Sequence, residues 1–245
     1  DRGREGLAIA GAAALLTVVV AIWGALRVHE GTLVRQGTPV RVALVQGNVP
    51  NAWRVDPAHA DQAFQAFATA TAAVVSARPD LVVWPENAVS FLLAPNQRFA
   101  TALLALLGAG GPPLLLGGPR FAPAGTGHVQ FFNAAHLLAA SGASLGVYDK
   151  RRLVPFAEYA PVPRVPGLGW RFDAPGDYTP GGEPTIFPQP APFGVLICFE
   201  SIFSGLARDA AAHGATLLAN ITNDAWFGRT SAPYQHFSQA VLRAV

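Results

Sequence analysis

The sequence predicts a layered α/β fold, and three observations support this prediction. Short apolar segments typical of buried strands alternate along the chain with longer segments of helical periodicity. The strand-like segments are continuously apolar, as expected where a sheet is covered on both faces. Polar residues follow four of these segments, at the end where α/β sheets place their ligand sites. A length of 245 residues suits one large domain, or one domain with an appendage.

The N-terminal region, residues 1–39, is predicted to be a transmembrane helix and a connector. Residues 6–26, GLAIAGAAALLTVVVAIWGAL, are an uncharged run of 21 residues, and one bilayer crossing needs about 20. A cleaved signal peptide would have a shorter apolar core and a small-residue cleavage site, so a spanning helix is favoured. A buried hydrophobic helix is the alternative. Charges are similar on both sides of the run, so the positive-inside rule does not set its orientation.

Composition points to a membrane-associated protein. Charged residues are 13% of the chain, about half the usual share, and 51% are hydrophobic, with a mean hydropathy of +0.31. The net charge is +2, and no basic cluster suggests nucleic acid as a partner. The single cysteine excludes an internal disulfide. The six histidines lack metal-ligand spacing, so we predict no metal site and no cofactor.

The predicted larger domain, residues 40–245, begins with alternating strands and helices. Residues 40–46, VRVALVQ, are interpreted as the first strand. The spacing of apolar residues predicts a helix over 57–77, with Phe64 and Phe67 on its buried face. The strand LVVWPE (81–86), a helix around 98–107 and the strand PLLLGG (113–118) follow, in the order β-α-β-α-β.

The second half contains two adjacent strands, a long loop and a final run of strands and helices. FFNAAHLLA and GASLGVYDK are predicted to be neighbouring strands joined by a short turn. Residues 155–192 are rich in proline and glycine and carry Trp170, Phe172 and Tyr178. A segment this long without periodicity is typically a functional loop or lid. After it come the strand FGVLIC, the helix SIFSGLARDAAAHG, the strand ATLLANITND and a helix from about 232. Because the sequence stops within this helical pattern, we interpret the domain as truncated at its C-terminus.

Four strand-like segments end in residues that could act together in catalysis. Glu86 ends LVVWPE, Lys150 ends GVYDK, Cys198 ends GVLIC, and Asn223 with Asp224 ends LLANITND. A thiol attacks as thiolate, so Cys198 needs a base or a nearby positive charge, and Glu86 can take its proton. Lys150 would stabilise the thiolate and, with a backbone N–H near Cys198, the oxyanion of a tetrahedral intermediate. This set predicts an acyl-transfer site without histidine, although a lone cysteine in a buried strand is more often a small hydrophobic residue.

The same residues lie in motifs that resemble the nitrilase superfamily. Its Glu–Lys–Cys triad matches WPE at Glu86, YDKRRLVPFAEY at Lys150 and LICFE at Cys198. Within the superfamily, the sequence resembles the bacterial apolipoprotein N-acyltransferase family in VALVQGNVP, DLVVWPENA, YDKRRLVPFAEYAP, GVLICFES and NITNDAWFG, and in the preceding membrane span. The resemblance covers most of residues 40–240. It implies a nitrilase-like four-layer αββα sandwich preceded by one transmembrane helix, with 40–245 as the catalytic domain.

The resemblance also implies a ping-pong reaction at a membrane. Cys198 would take an acyl chain from a phospholipid as a thioester and pass it to the α-amino group of a diacylglyceryl-cysteine at a lipoprotein N-terminus. The implied location is the bacterial inner membrane, with the catalytic domain facing the periplasm. By motif matching, Glu158 is the second glutamate of the site, and Phe199 and Glu200 are the aromatic and acidic neighbours of the nucleophile. The family often has tyrosine after the cysteine, and Phe199 lacks that hydroxyl.

Several residues have two interpretations that the sequence leaves open. Trp226 and Phe227 either line an acyl pocket or belong to the core. Asn223 either orients the triad or caps a turn, and Asn133 is expected to cap a turn. The apolar side chains of FLLAP and of the Trp170–Phe172 region either contact lipid or pack inward.

Two other functions compete with the acyltransferase. A nitrilase-type amidase or carbamoylase would hydrolyse a C–N bond with the same triad, and water would attack the thioester in place of an amine. A catalytically inactive membrane module would only bind lipid or a partner. The apolar span and the LVPFAEYAP run favour the acyltransferase, because a tethered domain reaches a lipid donor without extracting it at about 0.8 kcal/mol per CH₂.

Overall fold

The computed structural model describes residues 2–30, 37–50, 57–89, 97–125, 129–161 and 178–244. The chain divides into two compact units, Asp1–Pro39 with Ala244–Val245 and Val40–Arg243. The smaller unit contains helix α1, Arg2–Glu30. From Gly3 to Glu30 this helix is long and apolar enough to cross a membrane, with a mean hydropathy of 2.3 in its apolar window. The prediction of a helix over 6–26 is confirmed, and the observed helix is longer at both ends.

In the described part of the larger unit, strands alternate with helices at both ends, as predicted, and five consecutive strands lie between them. Its strands are β1 (Val42–Leu44), β2 (Leu81–Val83), β3 (Leu114–Pro123), β4 (Val129–Leu138), β5 (Ser144–Asp149), β6 (Ile186–Phe187), β7 (Phe193–Ile197) and β8 (Leu217–Ile221). Its α-helices are α2 (Ala60–Val75), α3 (Gln97–Leu107), α4 (Ser204–Ala212) and α5 (Ala232–Val241). Short 3₁₀ helices cover Pro57–His59, Cys198–Ile202 and Asp224–Phe227.

The strands form two sheets of mixed direction. The first has the order β1-β2-β3-β4-β5, in which β1, β2 and β3 are parallel and β4 and β5 are added antiparallel. The second has the order β6-β7-β8, in which β7 and β8 are parallel and pair Ile197 with Ile221. Parallel neighbours end at the same edge of a sheet, so the residues that follow β7 and β8 lie side by side.

Successive side chains of each strand point to opposite faces of its sheet, and this divides the core into layers. In β2, Val82 packs in a cluster with side chains of α2 and α3. Its neighbours Leu81 and Val83 face the other way, into a cluster that contains Ile197 of β7. In β7, Leu196 points away from that cluster and packs against α4. The order is therefore helices, sheet, sheet, helix, which confirms the predicted four-layer αββα sandwich.

Trp84 fixes the point where the chain leaves β2 toward Glu86. Its side chain is fully buried, and its ring stacks on Phe67 of α2 with the centroids 5.2 Å apart. The indole Nε1 donates to Thr71 Oγ1 at 2.9 Å, which satisfies the polar end of a ring that is otherwise in an apolar layer. Helix α2 thereby holds the segment that carries Glu86.

Most predicted elements are shifted at their ends by a few residues, and three differ in a way that changes their description. The strand predicted over 81–86 ends at Val83, because the chain turns before Glu86. The prediction of a continuous helix SIFSGLARDAAAHG is wrong, since Phe203 is extended and separates a 3₁₀ helix from α4. The loop predicted over 155–192 contains strand β6. The FLLAP segment, Trp170 and Phe172 lie outside the described residues.

Candidate active site

The predicted triad residues follow the ends of three different strands. Glu86 comes three residues after β2, Lys150 directly follows β5, and Cys198 directly follows β7. Glu86 and Lys150 follow strands of the first sheet and Cys198 follows a strand of the second, so the site lies at the strand ends of both sheets. Asn223, two residues after β8, reaches the same place.

Lys150 is the only lysine of the chain and lies between two carboxylates. Its Nζ donates to Glu158 Oε1 at 2.9 Å and to Glu86 Oε1 at 3.5 Å. Only 1% of Lys150, 5% of Glu86 and 8% of Glu158 is exposed. Burial opposes the charge on Lys150, but the two carboxylates outweigh it, so the pKa of Lys150 is raised. The ammonium group therefore stays charged throughout the physiological pH range.

Asn133 joins the two glutamates, which corrects the prediction that it caps a turn. It lies in the middle of β4 and is 2% exposed. Its Nδ2 donates to Glu86 Oε1 at 2.8 Å and to Glu158 Oε1 at 2.7 Å. The turn interpretation was wrong because it rested on the residue type, whereas the strand aims this amide inward. We call Glu86, Asn133, Lys150 and Glu158 the carboxylate cluster.

The remaining carboxylate oxygens of the cluster are held by backbone N–H groups. The Asn223 N–H donates to Glu86 Oε2 at 3.0 Å, and the Val154 N–H donates to Glu158 Oε2 at 2.7 Å. Asn223 also accepts from the Ala225 N–H through Oδ1 at 3.3 Å, so it caps a turn as well as orienting Glu86. The interpretation that Asn223 caps a turn is confirmed, and its N–H also holds Glu86, so both glutamates have a hydrogen bond at each oxygen.

Gly117 of β3 allows the backbone at Glu86 to approach the sheet closely. A Cβ atom at position 117 would lie 2.5 Å from Glu86 Cα, well inside van der Waals contact. The Gly117 N–H donates to the Pro85 carbonyl at 3.1 Å, and the Ala88 N–H donates to the Gly117 carbonyl at 3.0 Å. Gly117, the first glycine of PLLLGG, is therefore needed to seat the turn that carries Glu86.

Cys198 occupies a strained turn and is a thiol at rest. Its φ of 51° lies in the left-handed region, which non-glycine residues rarely adopt. Burial raises the pKa of Cys198 to about 12 and the negative charge of Glu86 adds to this, whereas Lys150 and a hydrogen bond with Thr222 act in the opposite direction. The sulfur therefore does not form a stable thiolate next to Lys150 at neutral pH. A thiol with a raised pKa needs a base before it can act as a nucleophile, and the charge on Glu86 is close enough to influence this sulfur.

Glu200 ties the segment after Lys150 to the turn at Cys198. Its carboxylate is completely buried and accepts from the Tyr148 hydroxyl at 2.9 Å. It also accepts from the backbone N–H groups of Arg151 at 2.7 Å, Arg152 at 3.0 Å and Ile197 at 2.8 Å. Burial raises the pKa of Glu200, against the lowering effect of these hydrogen bonds. All its bonds go to structural groups, so its supporting role is to align two segments.

His236 of α5 is a neighbour of Cys198, the candidate nucleophile, that the sequence did not indicate. Its Nε2 lies 2.9 Å from the Cys198 carbonyl oxygen, and its Nδ1 lies 2.9 Å from Asp224 Oδ1. Cys198, Asp224 and His236 also place one metal-ligating atom each within 4.8 Å of one another. Both ring nitrogens already have hydrogen-bond partners, so these bonds account for the grouping. A position 38 residues from Cys198 carries no signal in a single sequence.

The aromatic residues near the site differ in burial. Trp226 is 71% and Phe227 41% exposed, so the core interpretation of this pair is wrong. Phe199 is half-buried and meets Phe203 edge-on, with the ring centroids 5.1 Å apart. Tyr178 is held beside the cluster, since its N–H donates to the Glu158 carbonyl at 2.8 Å. Burial raises the pKa of Tyr178, and the charges of Glu158 and Glu86 add to the effect.

The chain resembles known enzymes in sequence and in fold. It is 37% identical over 236 residues to the apolipoprotein N-acyltransferase of Geobacter metallireducens, covering 94% of this chain and 44% of that protein. It is 35% identical over 263 residues to the apolipoprotein N-acyltransferase of Caulobacter vibrioides, covering 100% of this chain and 47% of that protein. The chain thus spans less than half the length of these relatives.

The fold matches solved structures of the nitrilase superfamily. An amidase from Nesterenkonia sp. superposes with a TM-score of 0.54 at 21% identity, covering 86% of this chain and 74% of the amidase. A variant of that amidase in complex with butyramide gives a TM-score of 0.55 at 20% identity, with 85% and 75% coverage. The sequence model of the carbon-nitrogen hydrolase family matches residues 41–245. By this match, the chain belongs to the carbon-nitrogen hydrolase family.

Proposed function

We propose that this chain is the catalytic part of an apolipoprotein N-acyltransferase. The observation that carries the proposal is the shared name of relatives that are 35–37% identical over 94–100% of the chain. The enzyme would move a fatty acyl chain from a phospholipid to the N-terminal amine of a diacylglyceryl-cysteine lipoprotein. The carboxylate cluster and the Cys198 thiol supply the chemistry that this transfer requires.

In the first half-reaction, Cys198 attacks the ester carbonyl carbon of the phospholipid. Because burial raises the pKa of the thiol to about 12, its proton passes to Glu86 as the S–C bond forms. The ester C–O bond then breaks, and Glu86 returns the proton to the departing lysophospholipid oxygen. The product is a thioester on Cys198, and Glu86 is a carboxylate again.

In the second half-reaction, the lipoprotein amine attacks the thioester. Glu86 takes a proton from the attacking nitrogen, the C–S bond breaks, and the sulfur regains a proton from Glu86. Lys150 keeps its positive charge in both halves, and with a backbone N–H it stabilises the oxyanion of each tetrahedral intermediate. Asn133 and Glu158 position Glu86 and Lys150, which supports the assignment of Glu158 as the second glutamate of the site.

The N-terminal helix is proposed to place this chemistry at a bilayer. A single crossing needs about 20 apolar residues, and α1 has 29 residues. The donor would then be reached from the membrane surface, and the catalytic domain would face the periplasm from the inner membrane. Trp226 and Phe227 are proposed to contact acyl chains, since their exposed rings lie on the 3₁₀ helix that follows Asn223.

Mass spectrometry of the intact full-length protein tests the function. We expect incubation with a phospholipid carrying a labelled acyl chain to add one fatty acyl group to the peptide that contains Cys198. Cys198→Ala is the matched control and should carry no label. Subsequent addition of a diacylglyceryl-cysteine peptide should remove the label from the enzyme and place it on the peptide amine.

Two other outcomes would support competing functions. An enzyme that takes no acyl label from phospholipid but hydrolyses small amides would be an amidase or carbamoylase. A full-length Cys198→Ala variant that still sustains lipoprotein acylation would point to an inactive lipid-binding module. Either result would overturn the acyltransferase proposal.

A further inference from the structure

His236 forms a hydrogen bond with the backbone of the candidate nucleophile itself. Helix α5 places the ring against the turn at Cys198, and 9% of the side chain is exposed. Nε2 lies 2.9 Å from the Cys198 carbonyl oxygen. A carbonyl oxygen only accepts hydrogen bonds, so Nε2 is the donor. On the other side of the ring, Nδ1 is held at 2.9 Å by Asp224 Oδ1.

The residue that receives this bond has an unusual backbone conformation. Cys198 has a φ of 51°, and such conformations persist where the surrounding structure fixes them. Glu200 fixes the preceding residue by accepting the Ile197 N–H at 2.8 Å. His236 fixes the carbonyl of Cys198, so the turn is held from both sides. Asp224 in turn also accepts from the Thr222 hydroxyl at 2.9 Å, which limits its own movement.

Fixing this carbonyl also fixes the next N–H group. A trans peptide is planar, and its C=O and N–H point in opposite directions. The carbonyl of Cys198 and the N–H of Phe199 belong to one such peptide. Phe199 is the second residue of the 3₁₀ helix Cys198–Ile202, and N–H groups in the first turn of a helix have no acceptor within that helix. The direction of the Phe199 N–H therefore depends on the residue that holds the Cys198 carbonyl.

We propose that His236, oriented by Asp224, is a positioning residue that aims the Phe199 N–H at the oxyanion formed during acyl transfer at Cys198. This inference rests on the proposed function, because it needs Cys198 to attack a carbonyl carbon. Both ring nitrogens are engaged, one by the Cys198 carbonyl and the other by Asp224. The ring acts through the Cys198–Phe199 peptide, and its loss leaves the thiol and Glu86 in place.

Two reactions of the Cys198 sulfur distinguish a positioning role of His236 from a general destabilisation of the fold. Acylation by p-nitrophenyl butyrate passes through an oxyanion and releases a burst of p-nitrophenolate in a single turnover. Alkylation by iodoacetamide displaces iodide and forms no oxyanion. Both rates are measured on the intact protein in detergent micelles, with peptide mass spectrometry to confirm modification of Cys198.

The informative variants are His236→Phe and His236→Gln. Phenylalanine keeps a ring at this position and removes the donor, whereas glutamine keeps an N–H donor at a similar distance from the backbone. We expect His236→Phe to slow acylation by about 100-fold, as a small misplacement of a catalytic group does. Alkylation should stay within about threefold of wild type, and His236→Gln should recover acylation to within about tenfold. His213→Phe is the matched control, because His213 also pairs with an aspartate, Asp209, but is 52% exposed.

Three results would overturn the inference. Acylation by His236→Phe within threefold of wild type would show that the donor is not needed. Equal losses of acylation and alkylation would show that the ring only supports the fold. A glutamine variant as slow as the phenylalanine variant would show that the hydrogen bond is not the cause. A wild-type protein without any acylation of Cys198 would instead remove the proposed function, and this inference with it.

Discussion

The carboxylate cluster and the turn at Cys198 are held in place by different means. In the cluster, side chains hold one another: an ammonium and an amide lie between two glutamates, and all four residues are at least nine-tenths buried. At the turn, side chains hold the backbone: Glu200, three residues along the same segment, accepts the N–H of Ile197, and His236 of α5 donates to the carbonyl of Cys198. The arrangement of the carboxylate cluster therefore depends on balanced charges, whereas the arrangement of the turn at Cys198 depends on hydrogen bonds to its backbone.

This difference predicts which substitutions the carboxylate cluster and the turn at Cys198 each tolerate. A cluster of paired charges is destabilised strongly when one charge is removed, because the partners remain buried without compensation. A turn fixed through its backbone keeps its hydrogen bonds when exposed side chains on it change. Charge-changing variants should therefore affect the cluster most, and variants that remove a backbone anchor should affect the turn most.

The largest expected effect is the pH dependence of thiol alkylation, which tests whether the turn holds a neutral sulfur. Because the pKa of Cys198 is raised to about 12, the thiolate fraction should rise about tenfold per pH unit, or about 1,000-fold from about pH 7 to about pH 10. The iodoacetamide rate at Cys198 measures this rise, and glutathione, a thiol of ordinary pKa, is the control. A plateau below about pH 9 would mean that the cluster already holds a thiolate.

Glu86→Gln should change the two reactions of Cys198 in opposite directions. Loss of the proposed base should slow acylation by p-nitrophenyl butyrate by about 1,000-fold. Loss of its negative charge removes one cause of the raised pKa of Cys198, so alkylation at neutral pH should become faster. Parallel single-turnover and alkylation measurements check this. Slower alkylation would contradict the electrostatic coupling of the cluster to the sulfur.

Lys150→Met should damage both catalysis and stability. Acylation should fall by at least about 100-fold, because the oxyanion loses its cation. The free energy of unfolding should fall by about 3–5 kcal/mol, since Glu86 and Glu158 would remain buried without a positive partner. Denaturant unfolding measures the second effect. Arg229→Met, which removes an exposed cation, is the control and should change neither quantity.

Asn133→Ala should slow acylation by about 30-fold while leaving the charges of the cluster unchanged. The two glutamates lose the amide that sets their spacing, and each lost bond to a charged group costs about 1.5–3 kcal/mol. Single-turnover acylation and thermal unfolding check both effects. Asn220→Ala, at an exposed position in β8, is the matched control. Equal acylation rates and equal thermal stabilities of the two variants would show that Asn133 has no role in the site.

Glu200→Gln should have the smallest effect of the set, with acylation slowed by about tenfold. One carboxylate oxygen becomes an NH₂ group facing donors such as the Ile197 N–H, which costs about 1–3 kcal/mol. Stability and the acylation rate should decrease together, because Glu200 aligns segments through its hydrogen bonds to Tyr148 and to backbone N–H groups. The exposed Glu183→Gln is the control. A loss as large as that of Glu86→Gln would mean that Glu200 has a direct chemical role.

Patterns along the chain predicted the layers but not the contacts within the site. The continuous apolar runs correctly indicated a sheet covered on both faces, because burial on both faces leaves a local signature. Glu86, Lys150 and Cys198 could be grouped because each follows a strand. Asn133 lies within a strand, and whether its amide points inward depends on register with Glu86 and Glu158 on other segments. His236 depends on where α5 docks, which a periodic pattern does not specify.

The hydrogen bond from Asn223 to Glu86 joins an element of one sheet to an element of the other, and the bond from Tyr148 to Glu200 does the same at a second point. These two cross-links resist sliding of the sheets over their apolar interface. A displacement of one residue along a strand, about 3.3 Å, would exceed the length of either bond. The hydrogen bonds of the candidate site therefore also fix the position of one sheet relative to the other. A shift between the sheets would break these bonds and move Glu86 and Cys198 out of their arrangement.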